Sequence, residues 1–330
     1  MLPPQLQRKL AGTQEQLEQY RLQLLANRRQ ELRKIGLVAC ACACVAVAIA
    51  IGLAAGFVTA NEIAIVMIVL ASAGIFGALF YAASHASAFS DAYAGAYKTE
   101  INNAIVRHFS PALSYNEEDG IDSDVFESSH LFSAAPDRYA TGDLVSGAYG
   151  KTQLKFARVH AEQKRSSDES TYYETIFEGV LMIADFNKKF RGHTYVRTDI
   201  AESALGHFGR TLQKLSVALS SDQLVQLENP EFEKEFAVYT SDQVEARYIL
   251  SPALMERMLE LIRRTGTEIQ FSFSNSSVII SIAHAKELFA PDFARPATDA
   301  AQLGEVYDQL AFFVGIIDDL DLNTRLWSKE

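Results

Sequence analysis

The sequence predicts an α+β protein carried on an N-terminal transmembrane helical hairpin, and three observations predict it. Two apolar runs without charge, residues 35–61 and 63–90, stand side by side near the start of the chain. From about Gly142 the pattern changes to short alternating segments joined by turns. Those segments come as consecutive hairpins with helices inserted late, which argues for a mainly antiparallel sheet and against a doubly wound one. Of the 330 residues 48% are apolar, and a mean hydropathy of +0.01 is high beside 22% charged residues. The apolar content is therefore concentrated in runs.

The first run, 35–58, is roughly 36 Å long as a helix, enough to cross a ~30 Å hydrocarbon core. The second, 63–83, follows after Thr59-Ala60-Asn61-Glu62, so two helices joined this tightly are antiparallel. A signal peptide fits poorly, because residues 1–34 precede the run and it exceeds an ordinary h-region of roughly 7–15 residues. Arg28, Arg29, Arg33 and Lys34 crowd the entrance, the connecting loop has no Lys or Arg, and Lys98 and Arg107 follow the second run. The positive-inside rule then predicts a multi-pass protein of a bacterial cell inner membrane with both termini cytoplasmic. Small residues recur at fourfold spacing, Ala48, Gly52 and Gly56 in the first helix and Gly74, Ala78 and Ala82 in the second. They suit close helix packing within the hairpin, and homo-oligomerisation is the alternative use. Cys40, Cys42 and Cys44, the only cysteines, lie in the first run and read as small packing residues.

Residues 1–34 form an amphipathic cytoplasmic helix, with Leu10, Leu17 and Leu24 at heptad spacing and Leu6 and Tyr20 on the neighbouring seam. It lies on anionic headgroups, or continues from the membrane as a weak coiled coil, or is simply solvated. Residues 84–114 make a stalk helix and linker, with Tyr93, Tyr97, Ile101, Ile105 and Phe109 on one stripe ending before Pro111. The carboxylates of 116–127 do not fall in EF-hand order, so that stretch is a solvated acidic loop.

Residues 115–330 predict a cytosolic α+β domain. Segments 144–149 and 152–160 flank Gly150-Lys151 as a hairpin, and 172–184 ends apolar on both faces, as a central strand does. A polar turn, 185–192, leads into a short strand, 193–197, then a helix over 205–219 and extended segments over 224–227 and 232–240. Asp242 and Glu245 resemble a capping box. Ser251-Pro252 opens a helix with Leu254, Met255, Met258, Leu259 and Ile262 inward, and Gly266 ends it. Alternation over 269–273 and 278–282 about Asn275-Ser276 predicts a hairpin. Leu303, Val306, Leu310, Phe313, Val314, Ile317 and Leu320 give a C-terminal helix that closes the core.

A net charge of −11 and a pI near 5.2 exclude a general nucleic-acid binder. No phosphate loop, HExxH, GxSxG or CxxC occurs, and the seven histidines are scattered singly. Asp318, Asp319 and Asp321 end an amphipathic helix, so no metal, cofactor or catalytic residue is expected from them. The best local cluster is Asp185, Asn187, Lys188, Lys189 and Arg191 in the turn after the central strand. A solvated turn is the plain reading of it, with side chains that contribute little to packing. An anionic lipid head or a phosphorylated ligand is the sharper one.

Three stretches carry a family likeness: FEGVLMIADFNKKFRG over 177–192, LENPEFEKEFAVYTSDQVEARYILSPALMERM over 227–258, and LDLNTRLW over 320–327. Together they resemble bacterial domain of unknown function family 3137, two-helix inner-membrane proteins with a cytosolic α+β domain, across about 35–327. The resemblance implies that architecture and no assigned activity. It also implies a LemA-type membrane protein as a partner, since members are similar to proteins often encoded beside one. The expected function is thus a membrane-anchored, non-enzymatic interaction or regulatory module whose partners are the lipid bilayer and another protein. A ligand- or anionic-lipid-binding domain, or an uncharacterised enzyme, built on the 185–192 turn is the alternative.

Overall fold

Residues 4–54 contain no internal proline, and in the computed structural model they form one continuous helix, α1 (Pro4–Ala54). The structure describes residues 2–54, 62–132, 134–166, 170–198, 222–284 and 287–323. They divide into two units. One comprises Pro3–Glu100 with Pro291–Leu303, and the other Ile101–Ala290 with Gly304–Glu330 and the first two residues.

In the first unit α1 packs beside α2 (Glu62–Tyr97). Gly74 on α2 faces Cys42 on α1 so closely that an added Cβ would stand 2.9 Å from the Cys42 sulfur. Further along, Arg21 feels the Tyr93 phenol, and both meet Phe293. Residue numbers rise along one helix as they fall along the other, so the pair is antiparallel. The amphipathic N-terminal stretch and the first apolar run are a single helix with no break at Lys34. Leu6, Leu10, Leu17 and Leu24 are buried within the protein, which corrects the reading that lays this stripe on headgroups. α1 is long and apolar enough to cross a membrane, and none of its most apolar window is buried. Among the described residues it alone meets that measure, the second apolar stretch being Val69–Ala78.

A π-helical turn (Lys98–Asn102) and α3 (Asn103–Phe109) follow. The stripe through Tyr93, Tyr97, Ile101 and Ile105 steps by four, which drifts about 40° per step on a 3.6-residue helix. The wider π turn takes up that drift. All four side chains are buried, and Phe109 stacks on Tyr307 at 5.2 Å.

Among the described residues the second unit is built on one antiparallel sheet of nine strands: β1 (Leu113–Asn116), β2 (Arg138–Tyr149), β3 (Thr152–Ser166), β4 (Thr171–Asp185), β5 (Thr194–Thr198), β6 (Gln223–Leu224), β7 (Phe236–Thr240), β8 (Ile269–Ser274) and β9 (Ser277–Ala283), in the order β1-β2-β3-β4-β9-β8-β5-β7-β6. The β2–β3 hairpin turns at Gly150-Lys151 with Tyr149 opposite Thr152. The β8–β9 hairpin turns through Asn275 and Ser276 at φ +50° and +56°, the left-handed pair of a type I′ turn. β4 takes the central position that its two-sided apolar pattern predicts.

Cross-strand partners share a face, so the register sorts the core into two layers. On one face Phe156, Met182, Ile280, Phe271, Val196 and Val238 lie under helices. Those helices are α5 (Pro230–Glu235), α6 (Gln243–Ile249), α7 (Pro252–Thr265) and α8 (Ala300–Asp319). Phe313 of α8 meets Phe156 at 5.4 Å, and Phe232 of α5 meets Phe236 at 4.7 Å. On the other face α4 (Ser123–Ser128) and the residues around it cover β2 to β4, with Phe126, Phe132 and Phe177 clustered at 4.1 and 4.8 Å.

Several expectations are corrected. Residues 232–235 are helical, not extended, because the Asn229 side chain accepts from the Glu231 and Phe232 amides at 3.1 Å and Pro230 sits at the first helical position. The acidic stretch is loop only to Asp122. Its second half is α4, which buries Phe126. In α7 Leu261 is buried where Ile262 is half-buried. The expected helix over 205–219 and Gly56 lie outside the described residues.

Segment 291–303 is fastened to α1 by charge. Arg21 donates to Glu18 at 2.7 and 2.9 Å and to the Phe293 carbonyl, and Glu18 accepts the Ala297 amide at 2.7 Å. Hydrogen bonding from Arg21 first, opposed by burial, holds the Glu18 carboxyl below its ordinary value. A depressed carboxyl contributes its stability above that ordinary value and loses it as pH falls through the folded one. Protection of the Ala297 amide against hydrogen exchange should therefore fall in acid. Glu18→Gln should lower it already at neutral pH and flatten the profile, and a wild-type profile in that variant would contradict the assignment.

Candidate functional site

The turn between β4 and β5 is held by its own aromatic residues. Phe186 and Phe190 are buried with their rings 6.0 Å apart, and Phe186 packs on Phe273 at 5.1 Å. Two apolar anchors at this spacing leave Asn187, Lys188 and Lys189 to arch outward between them. The Phe186 amide also donates to the Ser276 carbonyl at 2.9 Å, which ties the turn to the β8–β9 hairpin.

α6 clamps the turn from both sides. Asp242 caps α6 by accepting from Val244 and Glu245 at 2.8 and 3.1 Å. Glu245 does not complete the box expected from its spacing, since the Asp242 amide donates to the Thr240 hydroxyl at 3.1 Å instead. The Glu245 carboxylate accepts the Arg191 amide at 3.1 Å and the Gly192 amide at 2.6 Å. At the far end Lys188 Nζ donates to the Tyr248 carbonyl at 2.5 Å and the Ile249 carbonyl at 3.3 Å, and stands 4.8 Å from the Tyr248 ring centroid. A cation at a helix C-terminus satisfies the last carbonyls and the dipole together. Burial pushes its ammonium below the ordinary lysine value. The expectation that these cations contribute little to packing is thus overturned for Lys188.

Beside the turn lies a pocket of about 160 Å³. Asn187 and Lys188 line it from the turn, Ser251, Leu254 and Arg257 from the start of α7, and Leu320 and Asp321 from the end of α8. Arg257 pairs with Asp321 at 3.1 Å across its rim. Asp185 lies opposite Ser277 in the β4–β9 ladder, and Lys189 and Arg191 are exposed; none of the three is in the lining. The predicted cluster therefore divides. One cation of the pocket serves helix carbonyls, the other serves a carboxylate, and the walls left between them suit a small amphipathic group. In the helical pair Gly74 lies against Cys42, Gly52 is half-buried and Ala48 is exposed.

A second polar group was not anticipated. On the sheet face away from α5 to α8, Tyr195 lies opposite Ser272 on one side and Tyr239 on the other, and Arg197 follows two residues on. Arg197 and Ser272 are buried. His193 stacks on Tyr195 at 5.1 Å and shares a 2.7 Å hydrogen bond with the enclosed Asp222 carboxylate, and His130 approaches the same ring at 5.6 Å. Burial first, opposed by the Tyr239, Tyr195 and Asp222 fields, pushes the Arg197 guanidinium down to about 10, so it stays charged at neutral pH. The Tyr195 phenol is pushed up to about 12 by burial and is neutral there. The available signal was the serine at Ser272 and Ser281 on the strand side opposite the Phe and Ile residues. Among the described residues no three His, Cys, Asp or Glu side chains gather to hold a metal.

The family model described as "Protein of unknown function (DUF3137)" matches residues 175–322, a span that contains the pocket and the Arg197 face and is narrower than the 35–327 likeness. No curated protein matches the chain. Among solved structures the chain is similar to the crystal structure of the mycobacterial trehalose monomycolate transport factor A, TtfA, at 9% identity and a TM-score of 0.30, over 68% of this chain and 96% of that one.

Lys188→Met should cost about 1–2 kcal/mol in urea unfolding, because two carbonyls lose a charged donor and the site is half-buried. Lys189→Met should be neutral within about 0.5 kcal/mol. Equal effects of the two would show that Lys188 does not clamp α6.

Proposed function

We propose that this chain, whose residues 175–322 match the DUF3137 family model, is a membrane-anchored cytoplasmic module that presents its sheet domain to a protein partner. The observation that carries the reading is the exposed apolar sleeve of the helical pair. Leu37 is 72% exposed, Ile51 62% and, on α2, Phe76 73%. Large side chains bare to this extent all along two neighbouring helices suit hydrocarbon and not water. The apolar run of α2 then serves as the second span, making the protein multi-pass in a bacterial inner membrane. The cations Arg28 to Lys34 keep the N-terminus cytoplasmic, and an even number of spans returns the C-terminus to the same side.

The acidic charge favours a protein partner over nucleic acid. A second protein of the same membrane, of LemA type, fits that place as implied by the family likeness, and homo-oligomerisation through the small-residue stripes is the other assembly. The pocket beside Lys188 supports a second reading, a ligand-binding domain for a small amphipathic molecule. The committed states of Lys188 and Arg257 speak against a bare anionic headgroup there.

Cytosol-active reporters fused at Met1 and after Glu330 should both be active, and the protein should resist extraction by alkaline carbonate. Periplasmic activity of either fusion removes the orientation, and release by carbonate removes the anchor.

A further inference from the structure

Arg197 and Ser272 share a condition found together nowhere else on the described sheet. Nε and one Nη of Arg197 are buried with no hydrogen-bond partner, and so is the Ser272 hydroxyl. Because Tyr195 pairs with Ser272, Arg197 and Ser272 are diagonal neighbours on one face of adjacent strands, roughly 7–8 Å apart at Cα and within reach of one ligand. Among the described residues no carboxylate lies within ion-pair distance of Arg197. The contrast with Arg21 is direct, since that buried guanidinium has both a carboxylate and a carbonyl. Interior polar groups are almost always satisfied, and an unpaired buried cation is among the costliest arrangements a fold can keep. Two orphaned donors on one face of neighbouring strands call for an acceptor from outside the chain.

We propose that Arg197 and Ser272 bind the carboxylate of a small molecule, which accepts from the guanidinium and the hydroxyl together. The charge count selects the ligand class. Asp222, which shares a 2.7 Å hydrogen bond with His193, lies in the field of Arg197 and disfavours a ligand that carries more than one negative charge. A monoanionic carboxylate fits that balance better than a phosphate dianion. Tyr195 and Tyr239, on the same face, supply aromatic walls on the side away from β8. The site is independent of the membrane anchor and of the pocket beside Lys188.

The test uses the full chain in mild detergent, with acetate as the probe carboxylate replacing chloride at constant ionic strength and thermal unfolding followed by circular dichroism. The wild-type midpoint should rise with the logarithm of acetate concentration, as for any ligand bound only by the folded state. Arg197→Met should abolish the rise, yet unfold no lower than wild type in chloride, because it removes an unpaired buried charge. Ser272→Ala should move the acetate response to about tenfold higher concentration, one lost hydrogen bond to a charged group. An acetate-independent wild type overturns the proposal, and so does an undiminished rise in Arg197→Met. A steeper response to phosphate than to acetate overturns the carboxylate assignment. Should Arg197→Met fail to fold, Ser272→Ala decides, and a wild-type response in that variant overturns the site.

Discussion

β4 has to be covered twice, and most of the globular unit follows from that. Val180, Met182 and Ala184 point one way and Phe177, Leu181 and Ile183 the other, all buried or half-buried. A strand apolar on both sides cannot sit at an edge or face water on either side, so its neighbours must carry cover above and below. The helices α5 to α8 supply one layer. The second layer, α4 with its flanking residues, reaches β2, β3, β4 and Ile279 of β9. Past that point the same face carries Ser272, Tyr195 and Arg197, all three buried. Among the described residues the polar group therefore lies beside that cluster and outside it.

A comparable economy operates in the helical pair. The seam of α1 runs Leu6, Leu10, Gln14, Leu17, Arg21, Leu24, so two polar residues occupy core positions of a heptad-like stripe. Each is matched by the backbone of one loop, Gln14 with the Ala297 carbonyl at 3.0 Å and Arg21 with that of Phe293 at 3.1 Å. Buried polar residues in a coiled-coil seam fix register at a cost in stability. Here the loop 291–303 docks where both find their carbonyls, since a one-turn slip would cost the Gln14 amide and one Arg21 nitrogen their acceptors while Glu18 stayed paired within α1. Tyr93 and Phe293, 5.5 Å apart, add an apolar contact at the same level.

What the sequence discloses follows the range of the forces involved. Hairpins at Gly150-Lys151 and Asn275-Ser276, the α7 start at Pro252 and its end at Gly266 depend on neighbours in the chain, and each was legible. The helix over 230–235 was legible too, through Asn229 and Pro230, but the alternation of Phe232, Phe236 and Val238 outweighed those two residues. The role of Glu245 was not legible. Its spacing from Asp242 suits a local box, whereas its partners are amides more than fifty residues earlier in the chain. Lys188 reads as a surface cation for the same reason, because nothing within the turn reveals the C-terminus of α6. For Arg197 a local sign existed, a cation inside a short strand, but its partnerless burial depends on strands brought together from distant parts of the chain.

Charge decides between long-range and short-range recognition. Residues 1–34 hold seven cations against Glu15, Glu18 and Glu31, a net of about +4 that leaves about −15 for the rest of the chain. An anionic leaflet attracts the former and repels the latter over roughly a Debye length, about 8 Å at physiological salt. A domain so charged cannot gather anions by its outer field, and of the turn cations that would have offset it Lys188 is bound to helix carbonyls while Lys189 and Arg191 are exposed. The site proposed at Arg197 escapes that limit because the guanidinium is buried, and there one charge at contact distance outweighs many distant ones screened by solvent. The anion site proposed at Arg197 is consequently one of the sheet interior, where the outer field of the acidic surface counts for little.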